Sequence, residues 1–143
     1  MANTSAITHL SLFRATTEFY VRYAETDAQG IVHHAAYVVW FEEARSHYAR
    51  MRGTDYADFE RAGYLLSVAS VQVRYAYPAR YGDRVAITCW VESLNSRAVT
   101  FQYEVENTLS KQRLATGETR HICVNRQGQP VIIPPEWRSW LSN

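Results

Sequence analysis

Only two of the 143 residues are cysteine, Cys89 and Cys123, too few for a disulfide framework or a zinc site of known spacing. Both lie in apolar, strand-like segments and are expected to be buried thiols. Runs of like charge are absent, and 15 basic side chains nearly cancel 14 acidic ones. A polyanion such as DNA therefore has no evident docking surface, and nucleic acid is not an expected partner. No segment stays apolar for the length a bilayer span needs, and the first fourteen residues, MANTSAITHLSLFR, lack a basic leader followed by a long apolar run. The expectation is a cytoplasmic protein without membrane insertion. Repeats, low-complexity tracts and linkers rich in Gly, Pro or Ser are also missing. One domain is expected over residues 1–143, with residues 1–14 as a flexible N-terminal segment.

The catalytic devices that are missing narrow the chemistry. There is no G-x-S-x-G elbow, and neither cysteine lies in a nucleophile motif, which disfavours a serine or cysteine hydrolase. Gly-rich phosphate loops are absent, so nucleotide-dependent phosphoryl or hydride transfer has no support. No set of His, Cys, Asp and Glu shows metal-ligand spacing. The expectation is a function with no cofactor and no metal.

What is present is a clear change of period along the chain. Phe19, Val21 and Tyr23 alternate with Glu18 and Arg22 in TTEFYVRY (16–23), the pattern of a half-buried strand. From Ala35 to Arg52 there is no Gly or Pro, and Tyr37, Trp40, Phe41, Ala44, Tyr48 and Met51 recur at helical spacing. This predicts one long helix of about 27 Å at ~1.5 Å per residue, closed by Gly53 in a left-handed conformation. Glu43 and His47, four apart, read as a solvated pair, and a shorter helix is expected over 55–62. Period two returns in Val71, Val73, Tyr75 and Tyr77, in Val85 to Val91, and in Val99 to Val105. A fifth strand over 112–124 alternates less regularly around Gly117, which reads as a bulge. The tail is expected to run out through Trp137 and Trp140.

A strand, a long helix and four strands with short connections give the α+β class, an antiparallel sheet packed on one helix. A single sheet can cover only one side of that helix. With four Trp and ten Tyr available for an interface, a further subunit is expected to cover the rest.

The connection AETDAQGIVHHAAY (Ala24 to Tyr37) concentrates an acid, a glycine and two histidines between rigid elements. Ahead of the helix stand Val32, His33 and His34, with no Ser, Thr, Asp or Asn in the capping place. Uncapped amides at the positive end of a helix suit an anion or a polarised carbonyl oxygen. Asp27, a few residues upstream, could supply an attacking group. The same Asp-Ala-Gln-Gly is also a good turn in which the carboxylate merely bonds nearby amides, and the histidines could serve only packing or solvent contact. His9 and His121 are isolated and read as structural.

The segment VRYAETDAQGIVHHAAYVVWFEEAR (Val21 to Arg45) resembles the signature of hotdog-fold acyl-CoA thioesterases of the 4-hydroxybenzoyl-CoA thioesterase and YbgC type. Similarity continues through YPARYGD (77–83), SRAVTFQYEV (96–105) and ATGETRHICVNRQGQPVIIP (115–134). The resemblance implies a five-stranded antiparallel sheet wrapped round a central helix, in homodimers or homotetramers with sites at the dimer interface. It implies an acyl-CoA substrate, or an acyl group on acyl carrier protein. Asp27 and His34 would be the catalytic residues, Asp27 attacking the thioester or activating water and the His34 amide donating to the thioester oxygen. Gly30, Val32, His33 and Tyr37 would be the substrate-binding residues. His at position 34 matches YbgC-type members, whereas His33 and Gln29 depart from the usual residues. Arg74, Arg80, Arg84, Arg120 and Arg126 are candidates for the CoA phosphates. Two other readings stand beside this: a non-catalytic module that holds acyl carriers, and a hotdog dehydratase, whose hydratase-type signature is not recognisable here.

Overall fold

The period-two and helical segments become five strands and one long helix in the computed structural model, which describes residues 12–142. Strand β1 (Arg14–Tyr20) leads through a 3-10 turn (Tyr23–Glu25) to helix α1 (Ala36–Met51) and the short helix α2 (Tyr56–Arg61). Strands β2 (Leu65–Tyr75), β3 (Arg84–Leu94), β4 (Ala98–Asn107) and β5 (Arg113–Val124) follow, then a last helical turn, α3 (Pro135–Arg138). The sheet runs β1-β3-β4-β5-β2, each neighbouring pair antiparallel. The expected α+β hotdog architecture is what forms.

Helix α1 buries Tyr37, Trp40, Phe41, Ala44, Tyr48 and Ala49 against one face of the sheet. That face presents Ile87 and Cys89 from β3, Phe101, Tyr103 and Val105 from β4, and Ala115 from β5. The other face carries polar cross-strand pairs, among them Thr16 with Thr88 and Gln102 with Glu118, as suits a sheet covered on one side. Both cysteines are buried free thiols. Edge strand β2 is open on both faces for most of its length, with Leu65, Val68, Val71 and Tyr75 exposed.

Several boundaries differ from the sequence expectation, each for a local reason. The first strand stops at Tyr20 because Glu25 accepts from the Arg22 amide and guanidinium and winds the chain into a turn, leaving Tyr23 exposed against Tyr81. The second strand stops at Tyr75 because the amides of Ala76 and Tyr77 both donate to the Leu114 carbonyl. Met51 is exposed and Ala49 buried, since the end of α1 is covered by Phe13 and Trp140, which both pack on Tyr48. Glu43 pairs with Arg50 rather than His47. The tail does not run out: Trp140 and Leu141 are buried, and Arg52 donates to the carbonyls of Ser139 and Ser142. Phe13 and Arg14, placed in the N-terminal segment by sequence, belong to the fold; His9 lies outside the described residues.

Gly117 is not a bulge. It pairs in regular register with Val73 and Tyr103, while the registers slip instead at Ala69, Glu92 and Leu114. A Cβ at position 117 would stand 2.3 Å and 2.4 Å from ring atoms of Phe41, and Phe41 lies stacked on Tyr103 at 4.1 Å. The irregular alternation therefore marks the spot where a helix side chain presses onto bare backbone.

A polar chain crosses this apolar layer. Arg45 donates to the Tyr103 hydroxyl at 3.0 Å, that hydroxyl lies 2.5 Å from Thr119 Oγ1, Thr119 lies 2.8 Å from His121 Nε2, and His121 Nδ1 lies 3.3 Å from the Leu66 carbonyl. Arg45 can only donate and a carbonyl can only accept. One arrangement uses every hydrogen: Tyr103 donates to Thr119, Thr119 to Nε2, and a neutral His121 donates from Nδ1 to Leu66. Burial, reinforced by the Arg45 charge, lowers the His121 pKa from 6.5 to about 4.

Gly117→Ala is expected to destabilise the fold by about 1–3 kcal/mol through overpacking of Phe41, read as a lower denaturant midpoint, with Phe41→Leu in the same chain recovering part of the loss. His121 binds fewer protons folded than unfolded, so its contribution is fully present above pH 6.5 and is lost as pH falls towards about 4. That contribution amounts to up to about 3 kcal/mol. Between pH 7 and pH 4.5 the wild type is expected to lose more stability than His121→Gln in urea titrations.

Candidate active site

The site is built by a small hairpin between β1 and α1. Thr26 and Val32 form a bridge, the Asp27 amide donates to the Ile31 carbonyl at 2.8 Å, and the Gly30 amide donates to the Asp27 carbonyl at 3.0 Å. Gly30 stands at φ +78°, the left-handed position that closes such a turn without a Cβ penalty. The Gln29 amide donates to Asp27 Oδ1 at 2.8 Å, so one carboxylate oxygen is held and the side chain is oriented by its own turn. The turn reading and the site reading of Asp27 are thus compatible.

The far arm of the hairpin is fixed to the rest of the fold. The Val32 amide donates to the Ala79 carbonyl at 2.8 Å, and the His33 amide donates to the Glu25 carbonyl at 2.7 Å. Ala35, in the capping place of α1, offers no side-chain acceptor; instead His33 Nδ1 accepts from the Ala35 amide at 3.1 Å. Among the described residues the His34 amide has no hydrogen-bond acceptor, whereas the His34 carbonyl accepts from the Tyr75 hydroxyl at 2.8 Å.

A cleft of about 450 Å³ opens here, lined by Asp27, Val32, His34 and Tyr37 with Tyr75, Tyr77 and Pro78. Four of the six residues expected from sequence meet in it. Gly30 and His33 do not line it: Gly30 shapes the turn, and the His33 ring stacks on His34 at 4.3 Å and caps Ala35. Tyr37 is buried, edge-on to Tyr75 at 5.2 Å, and burial raises its pKa despite a bond from the Ala79 amide.

Tyr75, Tyr77 and Pro78 were not singled out as site residues from sequence. Their alternation was visible, but not that the end of β2 folds back onto the hairpin through the Val32 to Ala79 bond. Of the five candidate arginines, Arg84 is engaged by Glu18 and lies over Tyr20, and Arg126 donates to the Arg61 carbonyl. Arg74 lines a groove with Gln102 and Glu118 on the sheet face away from α1, and Arg120 is exposed on the same face. Arg80 does not line the cleft but stands two residues beyond Pro78, the last residue of its wall. Among the described residues no group of three or more His, Cys, Asp and Glu could hold a metal ion, and no helix is long and apolar enough to cross a membrane.

The chain has relatives over nearly all of its length. It is 32% identical to YneP of Bacillus subtilis over 86% of this chain and 89% of that protein. It is 30% identical to the acyl-CoA thioester hydrolase YbgC of Escherichia coli, over 80% and 84% of the two chains. The solved structure of a DHNA-CoA thioesterase from Staphylococcus aureus superposes with a TM-score of 0.85 at 32% identity, covering 89% of this chain and 87% of the other. A family model described as the thioesterase-like superfamily matches residues 21–141. Since that match runs through the Asp27 hairpin, α1, strands β2 to β5 and the docked tail, the chain belongs to the thioesterase-like superfamily of hotdog proteins.

Proposed function

We propose that the protein hydrolyses an acyl-CoA thioester to the free acid and CoA in the cleft headed by Asp27 and the start of α1. The observation that carries this reading is the pairing of an oriented carboxylate with an unpaired amide, Asp27 and His34, lining one cleft. The carbonyl carbon needs a nucleophile and its oxygen needs a donor as negative charge develops. Asp27 serves the first need, either adding its own oxygen to the carbonyl carbon or drawing a proton from the water that adds. The His34 amide, at the positive end of a sixteen-residue helix, serves the second. As the C–S bond breaks, the thiolate of CoA leaves and takes up a proton. Water supplies the hydroxyl of the acid in both routes.

The remaining lining residues suit an acyl group. Tyr37, Tyr75 and Tyr77 present rings and Val32 and Pro78 aliphatic surface, a mostly apolar wall with few polar groups. Arg80, two residues beyond the cleft wall and with no described side-chain acceptor, is the arginine we assign to a CoA phosphate. The exposed apolar edge of β2 adjoins this wall through Tyr75, which supports an assembly in which a second copy covers that edge.

Release of CoA from a panel of short, long and aromatic acyl-CoAs tests the reaction. Asp27→Asn is expected to lower kcat/KM by about 10²–10⁴ while binding of a non-hydrolysable acyl-CoA analogue persists. Equal, negligible rates from wild type and variant would leave a binding module rather than an enzyme. In sedimentation at micromolar concentration a dimer or tetramer is expected; a fully active monomer contradicts a site completed between subunits.

A further inference from the structure

The far arm of the Asp27 hairpin meets the first residue of α1 through the Ala36 amide on the His33 carbonyl, and the arm that leads from β1 to Asp27 meets the helix through Glu25. Its Oε1 accepts from the Arg22 amide at 2.8 Å, and its Oε2 accepts from the Arg22 guanidinium at 2.8 Å and from the Trp40 indole at 2.6 Å. Its carbonyl accepts from the His33 amide at 2.7 Å. One residue thus holds the arm that leads to Asp27, the arm that leads to His34, and the second turn of the helix. Among the described residues, Trp40 to Glu25 is the one hydrogen bond from residues 22–27 to α1. Trp40 is fully buried, whereas the Glu25 side chain keeps 12% of its exposure and lies outside the apolar core. Glu25 does not line the cleft.

We propose that Glu25 is a positioning residue, a clamp that sets the separation of the Asp27 carboxylate from the first turn of α1. The inference rests on the thioesterase reading above and extends it to a residue that never meets substrate. All three groups on the carboxylate are donors with nothing to accept in return. A Gln in its place offers one acceptor oxygen and turns an N–H₂ towards donors; an Asp keeps the charge but lacks the methylene needed to reach both Arg22 and Trp40. Without the clamp the hairpin keeps its own turn and its Ala79 bond, so it stays folded but pivots relative to the helix. Small misplacements of a reacting group are costly in rate while leaving substrate contacts largely in place.

The test compares wild type, Glu25→Gln, Trp40→Phe, Asp27→Asn and Glu25→Gln/Asp27→Asn in single-turnover and steady-state hydrolysis of an acyl-CoA that wild type cleaves. Amide hydrogen exchange over residues 26–34 is measured on the same proteins. Glu25→Gln and Trp40→Phe are each expected to lower kcat roughly tenfold or more with KM changed by less than about twofold. In the Asp27→Asn background Glu25→Gln is expected to cost less than about twofold, because its effect passes through Asp27. Exchange over 26–34 should quicken in Glu25→Gln. An unchanged kcat in both single variants, or an equal loss with and without the Asp27 carboxylate, overturns the proposal. If wild type cleaves no acyl-CoA, the functional reading falls, and the exchange data alone decide the clamp: quicker exchange supports it and unchanged exchange overturns it.

Discussion

Phe41 rests on the sheet at the one point where the sheet has no side chain. The ring would collide with any Cβ at Gly117, and it stacks on Tyr103 of the adjoining strand. This contact fixes how close α1 lies to the strands, and much else depends on that height. Trp40, the neighbouring residue, reaches Glu25, and Tyr37, one turn nearer the start of the helix, reaches Tyr75 and the Ala79 amide. Raising the helix by a methyl group would disturb both contacts at once, since interiors are packed too tightly to absorb the change silently. The seating of one ring thereby governs where the helix begins relative to the Asp27 hairpin.

The polar chain from Arg45 to the Leu66 carbonyl complements that contact. A guanidinium taken into a largely apolar layer carries a desolvation cost, and here its described acceptor is a phenol rather than a carboxylate. The chain passes the donor capacity of Arg45 across β4 and β5 to edge strand β2. Each hydroxyl accepts one bond and gives one, and burial together with the nearby Arg45 charge opposes protonation of His121. Apolar packing sets the distance between helix and sheet, while this chain ties the helix to the sheet's last three strands in a specific register.

Element types were legible in the sequence because period is a local property. The long helix follows from an unbroken 3.6 pattern between Ala35 and Arg52, and the strands from alternation such as Val85 to Val91. Asp27, His34, Val32 and Tyr37 were readable as a group because they share one short connection. Non-local consequences were not readable. Gly117 reads as a bulge until Phe41 is seen above it, and Trp140 reads as part of a trailing end until Tyr48 and Tyr56 are seen to receive it. Tyr75, Tyr77 and Pro78 join the cleft only because the chain after β2 returns to the hairpin. Glu25 stands in the motif beside Asp27, yet its importance lies in a partner fifteen residues away on a different element.

The two walls of the cleft differ in how firmly they are held. The hairpin wall is bound on three sides: by its own turn, by Ala79 through Val32, and by α1 through Glu25 and Trp40. The opposite wall is the end of β2, an edge strand whose outer side has no neighbour in the sheet, and the residues just after it; Tyr75 and Tyr77 remain half exposed. Edge strands are the least protected part of a sheet. The Tyr75 hydroxyl on the His34 carbonyl is the described hydrogen bond that joins this wall to the start of the helix. A second copy seated on β2, as in the proposed assembly, would therefore brace the exposed side of the cleft rather than merely enlarge the protein. In that arrangement the geometry of the Asp27 side comes from within the chain, and the rigidity of the tyrosine side comes from association.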